Sequence, residues 1–471
     1  MSFRTICNDF RDQTLFVNQE YRELVEWAIN NGAFIHPSCE FHASPGGGGT
    51  VSVKMDSQTV EPNAVLLRMP YCLSLSYFNA ITAGIEGSHY VPRSKPLPAA
   101  FLQSTADHET IGNIFLVQQY LLGNDSFWHP YIQVLPQPDT SSQPAIPLLW
   151  NKEDTVWLQG THLEEATKDR RKHLKNRWHE AMNVLKQAGW DISGYTIELF
   201  MWADFCFTSR QFPSVALAGD AASLKPEYKP LFEDGISSDD GPRILLPLLD
   251  GINHVQEGPS DWHYDKEGLA IAKSFEMQPG EEICYPYDTA GQRLNNTVLF
   301  RDFGFIIPNN EACEATLTFP FDPTIVMHPS HSVFSLASTV EECYSSAEYA
   351  YVALVSIRSP TRDPRGPLQP NHEVPDLSHF HPQLVSMVSF RVANLVERVA
   401  LRENPTKLPT ERLKKATVEY LVRHIRGMLQ TMKKQGRLLK TPQNEQQRRA
   451  CAYRQEQIEI LEDVMRTLNT T

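Results

Sequence analysis

Residues 244–254 read ILLPLLDGINH, an apolar run that ends in a cluster of polar side chains. A short apolar run bounded by turn residues is typical of a buried β-strand. Asp250, Asn253 and His254 follow where this strand should meet a loop, which is where binding groups are commonly placed. Asn and His after a strand are also common turn formers, so the segment alone indicates only a candidate site.

Three other segments carry residues of the same kind. Residues 279–288, PGEEICYPYD, place Tyr285 and Tyr287 at alternate positions of a predicted strand. Residues 296–306 read NTVLFRDFGFI, with Asn296 and Phe303 seven positions apart. Upstream, four consecutive glycines from Gly46 to Gly49 can let the backbone approach a ligand closely. Each segment has an ordinary structural explanation, and only their order and spacing make them informative together.

This ordered set resembles the signature of SET methyltransferases. In that family an Asn-His pair is followed by a G-E-E/Q-hydrophobic strand ending in tyrosine, and then by N-x-x-L-x-x-x-[YF]-G-F. Flanking tracts resemble the Rubisco large-subunit lysine methyltransferase-like group, over nearly the whole chain. These tracts are FLVQQYLLGNDSFWHPYIQVLP (115–136), WLQGTHL (157–163), WADFCFTSRQF (202–212) and RRACAYRQEQIEILEDVM (448–465).

The resemblance implies an α+β protein, in which a β-rich SET fold of short strands is interrupted by a helical insertion and followed by an all-α C-terminal domain. Apolar stripes at helical spacing near the C-terminus predict a helical bundle, with Val385, Val388, Val392, Leu395, Val396 and Val399 on one face of its first helix. The predicted bounds are 18–79 for the N-terminal SET part, 80–195 for the insertion, 196–310 for the catalytic SET part, 311–382 for a connecting region with a proline-rich loop, and 383–471 for the C-terminal helical substrate-binding domain.

The resemblance also assigns roles to individual residues. Tyr287 matches the catalytic tyrosine and a cofactor contact. The other residues expected to bind S-adenosylmethionine are Gly46, Gly48, Arg210, Asp250, Asn253 and His254. Aromatic walls of a substrate channel are expected from Phe212, Trp262, Tyr264 and Tyr285, since aromatic rings suit a cationic or methylated amine.

Charge and cysteine content narrow the class of protein further. The net charge of −13 argues against nonspecific nucleic-acid binding. Residues 391–471 carry 17 Lys/Arg and 9 Asp/Glu, so the preceding residues are strongly acidic and favour encounter with a basic protein substrate. None of the eight cysteines forms a C-x-x-C pair, and we expect no metal. No apolar run is long enough for a membrane helix, so we expect a protein of the cytoplasm or nucleus. We also expect a monomer that makes no direct contact with nucleic acid.

The activity expected is that of a protein-lysine N-methyltransferase acting on a non-histone protein, with ribosomal and translation-related proteins as the candidate substrates. Two alternatives follow from the same motifs: methylation of histidine, and a catalytically silent SET-fold module that binds a partner through its C-terminal helices. The intact set of Asn253, His254 and Tyr287 favours activity over the silent module. A metal hydrolase is disfavoured because the chain has no H-x-x-x-H or H-E-x-x-H spacing.

Overall fold

The chain forms two compact units that are not contiguous in sequence. The first comprises Met1–Pro144 and Arg170–Arg293, and the second comprises Ala145–Asp169 and Leu294–Thr471. The computed structural model describes residues 19–43, 49–54, 58–82, 96–104, 107–138, 145–213, 242–256, 262–265, 268–287, 293–312, 314–317, 325–327, 334–336, 355–358, 377, 380, 382–404 and 407–469. The domain bounds given above stay a prediction, because these units are defined by packing alone.

Short antiparallel strands form the framework of the first unit. A four-stranded sheet has the order β1-β4-β10-β9, and a three-stranded sheet has the order β5-β7-β6. Strands β2 and β3 form an antiparallel pair, whereas β8 and β11 are parallel. The strands are β1 (Phe34–Ile35), β2 (Cys39–Ala43), β3 (Gly49–Val53), β4 (Val65–Met69), β5 (Leu75–Ser76), β6 (Gln211–Pro213), β7 (Arg243–Leu245), β8 (Asn253–His254), β9 (Trp262–Asp265), β10 (Gly268–Ala272) and β11 (Cys284–Tyr285).

Helices of the first unit pack on these strands through large buried side chains. Trp128, which is almost fully buried, donates its indole N–H to the carbonyl of Leu73 at 3.0 Å and so ties the helical part to the strand part. The helices are α1 (Gln19–Asn30), α2 (Tyr77–Thr82), α3 (Ala99–Ser104), α4 (His108–Leu122), α5 (His129–Val134), the part of α7 (His162–Gln187) from Arg170 onward, and α8 (Ile197–Arg210).

The second unit is mainly helical. It contains α6 (Lys152–Thr155), the first turns of α7, α9 (Asn296–Val298) with a π-helical turn over Leu299–Phe303, α10 (Pro382–Val392), α11 (Leu395–Glu403), α12 (Glu411–Leu438) and α13 (Glu445–Asn469). Two strand pairs accompany them: β12 (Glu314–Leu317) with β15 (Val355–Arg358), and β13 (Ile325–Met327) with β14 (Phe334–Leu336). Leu421, Ile425, Leu461 and Val464 lie in its apolar core. The expected α+β class and the C-terminal helices are therefore present.

The single apolar face predicted for 385–399 is wrong in its second half. The helix ends at Val392, and Asn394 begins a new one by accepting a hydrogen bond from the backbone N–H of Glu397, whose side chain binds the Asn394 N–H in return. This capping box redirects the chain. Val385 and Val388 are buried as predicted, but Leu395, Val396 and Val399 are exposed.

Within the described residues, no helix is both long and apolar enough to cross a membrane.

Gly268 begins the central strand β10 at a position that tolerates no side chain. Its φ is +148°, and a Cβ there would lie 2.1 Å from the Met69 carbonyl oxygen of the neighbouring strand. We expect Gly268→Ala to lower the free energy of unfolding by about 3 kcal/mol, because backbone atoms of β4 would have to move. Thermal and urea unfolding measure this loss.

Gly112→Ala is the matched control within the same unit. Gly112 lies inside α4, and a Cβ there would meet Phe207 at an ordinary 3.6 Å. Alanine in a helix interior is favoured over glycine by up to about 1 kcal/mol. Equal destabilisation by the two substitutions would contradict the assignment of strain to Gly268.

Candidate active site

The polar cluster after β7 is shaped by a tight turn. The backbone N–H of Asp250 donates to the Leu246 carbonyl at 3.1 Å, and Leu249–Gly251 form one turn of 3-10 helix. Leu248 adopts a φ of +69°, which non-glycine residues rarely do. Strain of this kind persists only where the surrounding structure enforces it, and it is found most often at functional sites.

Parallel pairing of β8 and β11 brings the Asn-His pair beside the tyrosine strand. Cys284 lies opposite Asn253, and Tyr285 lies opposite His254. Tyr287 lies just past the end of β11, where its backbone N–H donates to Nδ1 of His254 at 3.1 Å. The Tyr287 hydroxyl donates to the Ile252 carbonyl at 3.1 Å. Residues 252–254 and 284–287 are thus fixed against one another by the strand pairing and by the two hydrogen bonds of Tyr287.

The hydrogen bonds of His254 determine its tautomer. Since Nδ1 accepts from Tyr287, the neutral ring carries its proton on Nε2, which lies 3.2 Å from Oε1 of Gln256. Burial lowers the pKa of His254 to about 4. Protonation of Nδ1 would also break the bond to Tyr287, so His254 is a neutral orienting group at physiological pH.

Asn253 is held by Glu282, an acidic residue that lies within the quoted motif but to which the sequence analysis assigned no role. Its side-chain amide donates to Oε1 of Glu282 at 2.7 Å. Burial raises the pKa of the Glu282 carboxyl. Glu282 forms a β-bridge with Ser52, and the N–H of Ile283 donates to the Val51 carbonyl at 2.8 Å. Strand β3 therefore lies beside the site.

The predicted glycine loop leads directly into β3. Gly49, the last of the four glycines, is the first residue of that strand. Gly46 and Gly48, the two predicted to contact the cofactor, lie outside the described residues. Their predicted role agrees with the position of β3 but is not tested by it.

Arg210 and Asp250 form a buried pair next to this arrangement. Arg210 is the last residue of α8, and β6 follows it immediately. Because Phe212 of β6 pairs with Ile244 of β7, Arg210 is brought beside the turn that carries Asp250. Its Nη1 donates to the Asp250 carbonyl at 3.0 Å and lies 3.9 Å from the carboxylate Oδ2.

A second residue missed by the sequence reasoning contacts this pair. The hydroxyl of Tyr131, on α5, donates to Oδ2 of Asp250. Burial raises the pKa of Asp250 to about 6, against the lowering effects of Arg210 and Tyr131. Nothing in the surrounding sequence HPYIQVLP marks Tyr131 as functional, since a buried tyrosine in a helix is an ordinary core residue.

Three of the four predicted channel residues, Phe212, Trp262 and Tyr285, form a contiguous aromatic group. The ring of Trp262 lies 4.5 Å from that of Tyr285 and 5.0 Å from that of Phe212, both edge to face. Tyr285 continues the group to Tyr287, with ring centroids 5.3 Å apart. Tyr264 lies in β9 opposite Leu269, and its side chain is outside what is described. Such rings can surround an amine on several sides.

The closing segment of the signature lies in the second unit. Asn296 is buried, where its amide donates to the Ile307 carbonyl at 2.9 Å and to Glu456 at 2.7 Å, and its Oδ1 accepts from the Ile307 N–H. Phe303 ends the π-helical turn, and its ring lies 6.4 Å from that of Phe305. These contacts give Asn296 a clear structural role within that unit.

Two relatives of the chain are named as lysine N-methyltransferases. The chain is 23% identical over 448 residues to the ribosomal lysine N-methyltransferase set10 of Schizosaccharomyces pombe, covering 94% of this chain and 71% of that protein. It is 23% identical over 342 residues to the protein-lysine N-methyltransferase EFM1 of Saccharomyces cerevisiae, covering 64% of this chain and about half (49%) of EFM1. No family model matches the chain.

The solved structures show the fold. The SET domain of Rubisco LSMT bound to methyllysine and AdoHcy superposes with a TM-score of 0.65 at 15% identity, over 97% of this chain and 92% of that one. The structure of Rubisco LSMT bound to AdoMet gives 0.63 at 16% identity, over 96% and 92%. The SET fold expected from the sequence is confirmed.

The pKa of His254 gives a test of the site that needs no ligand. The folded value of about 4 lies below the ordinary 6.5. As the pH falls from 6.5 towards 4, His254 takes up a proton in the unfolded chain but not in the folded one. The free energy of unfolding therefore decreases in that window, by up to about 3 kcal/mol from this residue. Imidazole NMR shifts measure the titration, and His254→Gln identifies its signal. A His254 pKa above 6 would contradict the proposed bond to Tyr287.

Proposed function

We propose that this chain is a SET-domain protein of the Rubisco large-subunit methyltransferase-like group, and that it transfers a methyl group from S-adenosylmethionine to a lysine side chain of a non-histone protein. The observation that carries the proposal is the β8–β11 pairing, which places Asn253, His254 and Tyr287 together at one site. The lysine N-methyltransferase activity named for its relatives supports the same reaction.

The residues at the site fit the cofactor. When bound, S-adenosylmethionine supplies an electrophilic methyl group on a sulfonium, together with a carboxylate and an ammonium. The Arg210 guanidinium is a partly buried cation suited to a carboxylate. The Asn253 side chain and the backbone of the β8 turn offer polar groups close by. Acceptors, donors and one cation thus lie within a single strand-end cluster.

The protein must also present the lysine amine without its proton. An ordinary lysine has a pKa near 10.4, so deprotonation at pH 7 requires about 4.6 kcal/mol. Apolar surroundings disfavour the charged form and lower that pKa. Phe212, Trp262 and Tyr285 provide such surroundings. Tyr287 is oriented through the Ile252 carbonyl and would align the amine rather than act as a base, since burial raises the pKa of its hydroxyl well above neutral pH.

We further propose that the substrate is a basic protein of the translation apparatus. The relative set10, which aligns with 94% of this chain, is named a ribosomal lysine N-methyltransferase. The acidic part of this chain, residues 1–390, would attract basic ribosomal proteins through long-range charge. We also propose that the protein acts as a monomer in the cytoplasm or nucleus and makes no direct contact with nucleic acid.

Tyr287→Phe tests the active-site assignment. The substitution removes only the hydroxyl, so cofactor affinity measured by calorimetry should change less than threefold, whereas methyl transfer from labelled cofactor should fall at least about 100-fold. Unchanged transfer would refute the role of Tyr287. No cofactor binding by the wild type would refute the enzyme assignment altogether.

Tyr195→Phe is the matched control, since Tyr195 is also buried but its hydroxyl contacts only the indole of Trp190 at 3.1 Å among the contacts described. It should retain wild-type transfer. The substrate is identified by incubating enzyme and labelled cofactor with an extract deficient in methylation and locating the label by mass spectrometry. Label on a basic ribosomal protein supports the substrate proposal, and label confined to histidine or to acidic proteins contradicts it.

A further inference from the structure

Asp250 depends on one residue for its direct side-chain hydrogen bond in the described contacts. Its Oδ2 accepts from the hydroxyl of Tyr131, whereas the guanidinium of Arg210 lies 3.9 Å from the same oxygen. The closer contact of Arg210 is to the backbone carbonyl of Asp250, at 3.0 Å. Tyr131 therefore holds the carboxylate in place, and the carboxylate and carbonyl together hold the guanidinium.

Tyr131 is well placed to act as a fixed support. Its helix α5 begins after Trp128, whose indole binds the Leu73 carbonyl at 3.0 Å. Tyr131 and Trp128 are each only 1% exposed. The indole of Trp202, from α8, donates to the Pro136 carbonyl just beyond α5. Both ends of this short helix are thus tied down, so the Tyr131 hydroxyl has little freedom to move.

We propose that Tyr131 is a positioning residue of the methyl-transfer site, which holds the Asp250 side chain in the orientation that lets Arg210 present its guanidinium to the carboxylate end of S-adenosylmethionine. The inference rests on the proposed function and deepens it. It assigns part of the cofactor site to the helical segment that precedes α8, a segment to which the motifs assign no chemistry.

The electrostatics of the pair agree with this role. Burial raises the pKa of Asp250 to about 6, and both Arg210 and the Tyr131 hydroxyl act in the opposite direction. With that pKa the carboxyl is ionised in about nine molecules of ten at pH 7. Loss of the Tyr131 hydroxyl removes one of the groups that favour ionisation, so the pKa rises further. The titratable groups that face Asp250 are Tyr21 on α1, Tyr131 on α5, Cys206 and Arg210 on α8, and Tyr285 and Tyr287 at β11.

The other groups facing Asp250 leave the window between pH 5 and 8 to Asp250 itself. Burial raises the pKa of Tyr21 to about 12 and that of the Cys206 thiol above its usual range. His254 titrates near pH 4. Glu282 also has a raised pKa, but it contacts Asn253 and not Asp250 in the described contacts. The substitution Asp250→Asn therefore distinguishes the effect of Asp250 on the pH dependence of binding from that of Glu282.

The experiment measures the dissociation constant of S-adenosylmethionine by calorimetry between pH 5 and 8.5, for wild type, Tyr131→Phe, Asp250→Asn and the double variant. Wild-type affinity should fall as the pH drops through about 6, because the protonated carboxyl no longer holds Arg210. In Tyr131→Phe this decline should move up by about one pH unit, with binding about fivefold weaker at pH 6, about twofold weaker at pH 7 and nearly normal at pH 8.5. Purely structural damage would weaken binding equally at every pH.

Asp250→Asn should bind weakly and lose the decline between pH 5 and 8. On that background Tyr131→Phe should add less than twofold, since the two residues act through one contact. Tyr195→Phe is the control and should follow the wild type. If Tyr131→Phe does not fold, the pH profile of Asp250→Asn still tests the proposal. A cofactor affinity that continues to fall between pH 8 and 5 in Asp250→Asn overturns it.

Other outcomes are equally decisive. If Tyr131→Phe binds the cofactor as tightly as the wild type at every pH, the role of Tyr131 is overturned and the proposed function stays intact. So does a uniform loss of affinity, or an additive double variant. A wild-type protein that binds no cofactor overturns the proposed function, and this inference with it.

Discussion

The parallel pairing of β8 with β11 is the interaction on which the rest of the candidate site depends. Two residues from each strand are enough to set Asn253 opposite Cys284 and His254 opposite Tyr285. So short a pair would not persist in isolation. It is held on one side by Glu282 and Ile283 against β3, and on the other by the bonds from Tyr287 to His254 and Ile252. A one-residue slip would break each of these bonds and turn the aromatic rings away from one another.

Much of this arrangement could be predicted from the sequence, because its main parts are local patterns. The strand that precedes Asp250, the strand that carries Tyr285 and the buried face of the first C-terminal helix at Val385 and Val388 follow from apolar spacing. The motif order assigned Asn253, His254 and Tyr287 to one signature, and the structure brings their segments side by side, while their roles stay a prediction. Each motif is local, since its residues mark the end of the strand that carries them. Only the pairing of β8 with β11 had to be inferred from the family resemblance.

The parts that could not be predicted depend on contacts between residues far apart in the chain. Tyr131 and Asp250 are 119 positions apart, and neither residue carries a local sign of the other. The break at Asn394 was missed for a different reason. Apolar spacing continues through it, but the capping box of Asn394 and Glu397, with Arg412 and Thr410 bound to the same carboxylate, outweighs the periodicity. Polar bonds at a helix start thus decided where the apolar face ended.

The buried pair of Arg210 and Asp250 is not explained by stability. A carboxylate and a guanidinium lose most of their hydration on burial, and their attraction roughly cancels that loss, so an apolar pair of similar size could serve the fold as well. At 3.9 Å the two charged groups are not even in their closest geometry, since Arg210 binds the carbonyl of Asp250 instead. What the pair provides is a guanidinium whose direction is fixed by a hydrogen bond to the carbonyl and by the charge of the carboxylate on one residue. A site that must orient an anionic ligand group before any reaction begins has a use for such a direction. The helical segment that carries Tyr131 would then contribute to the chemistry as well as to the packing of the first unit.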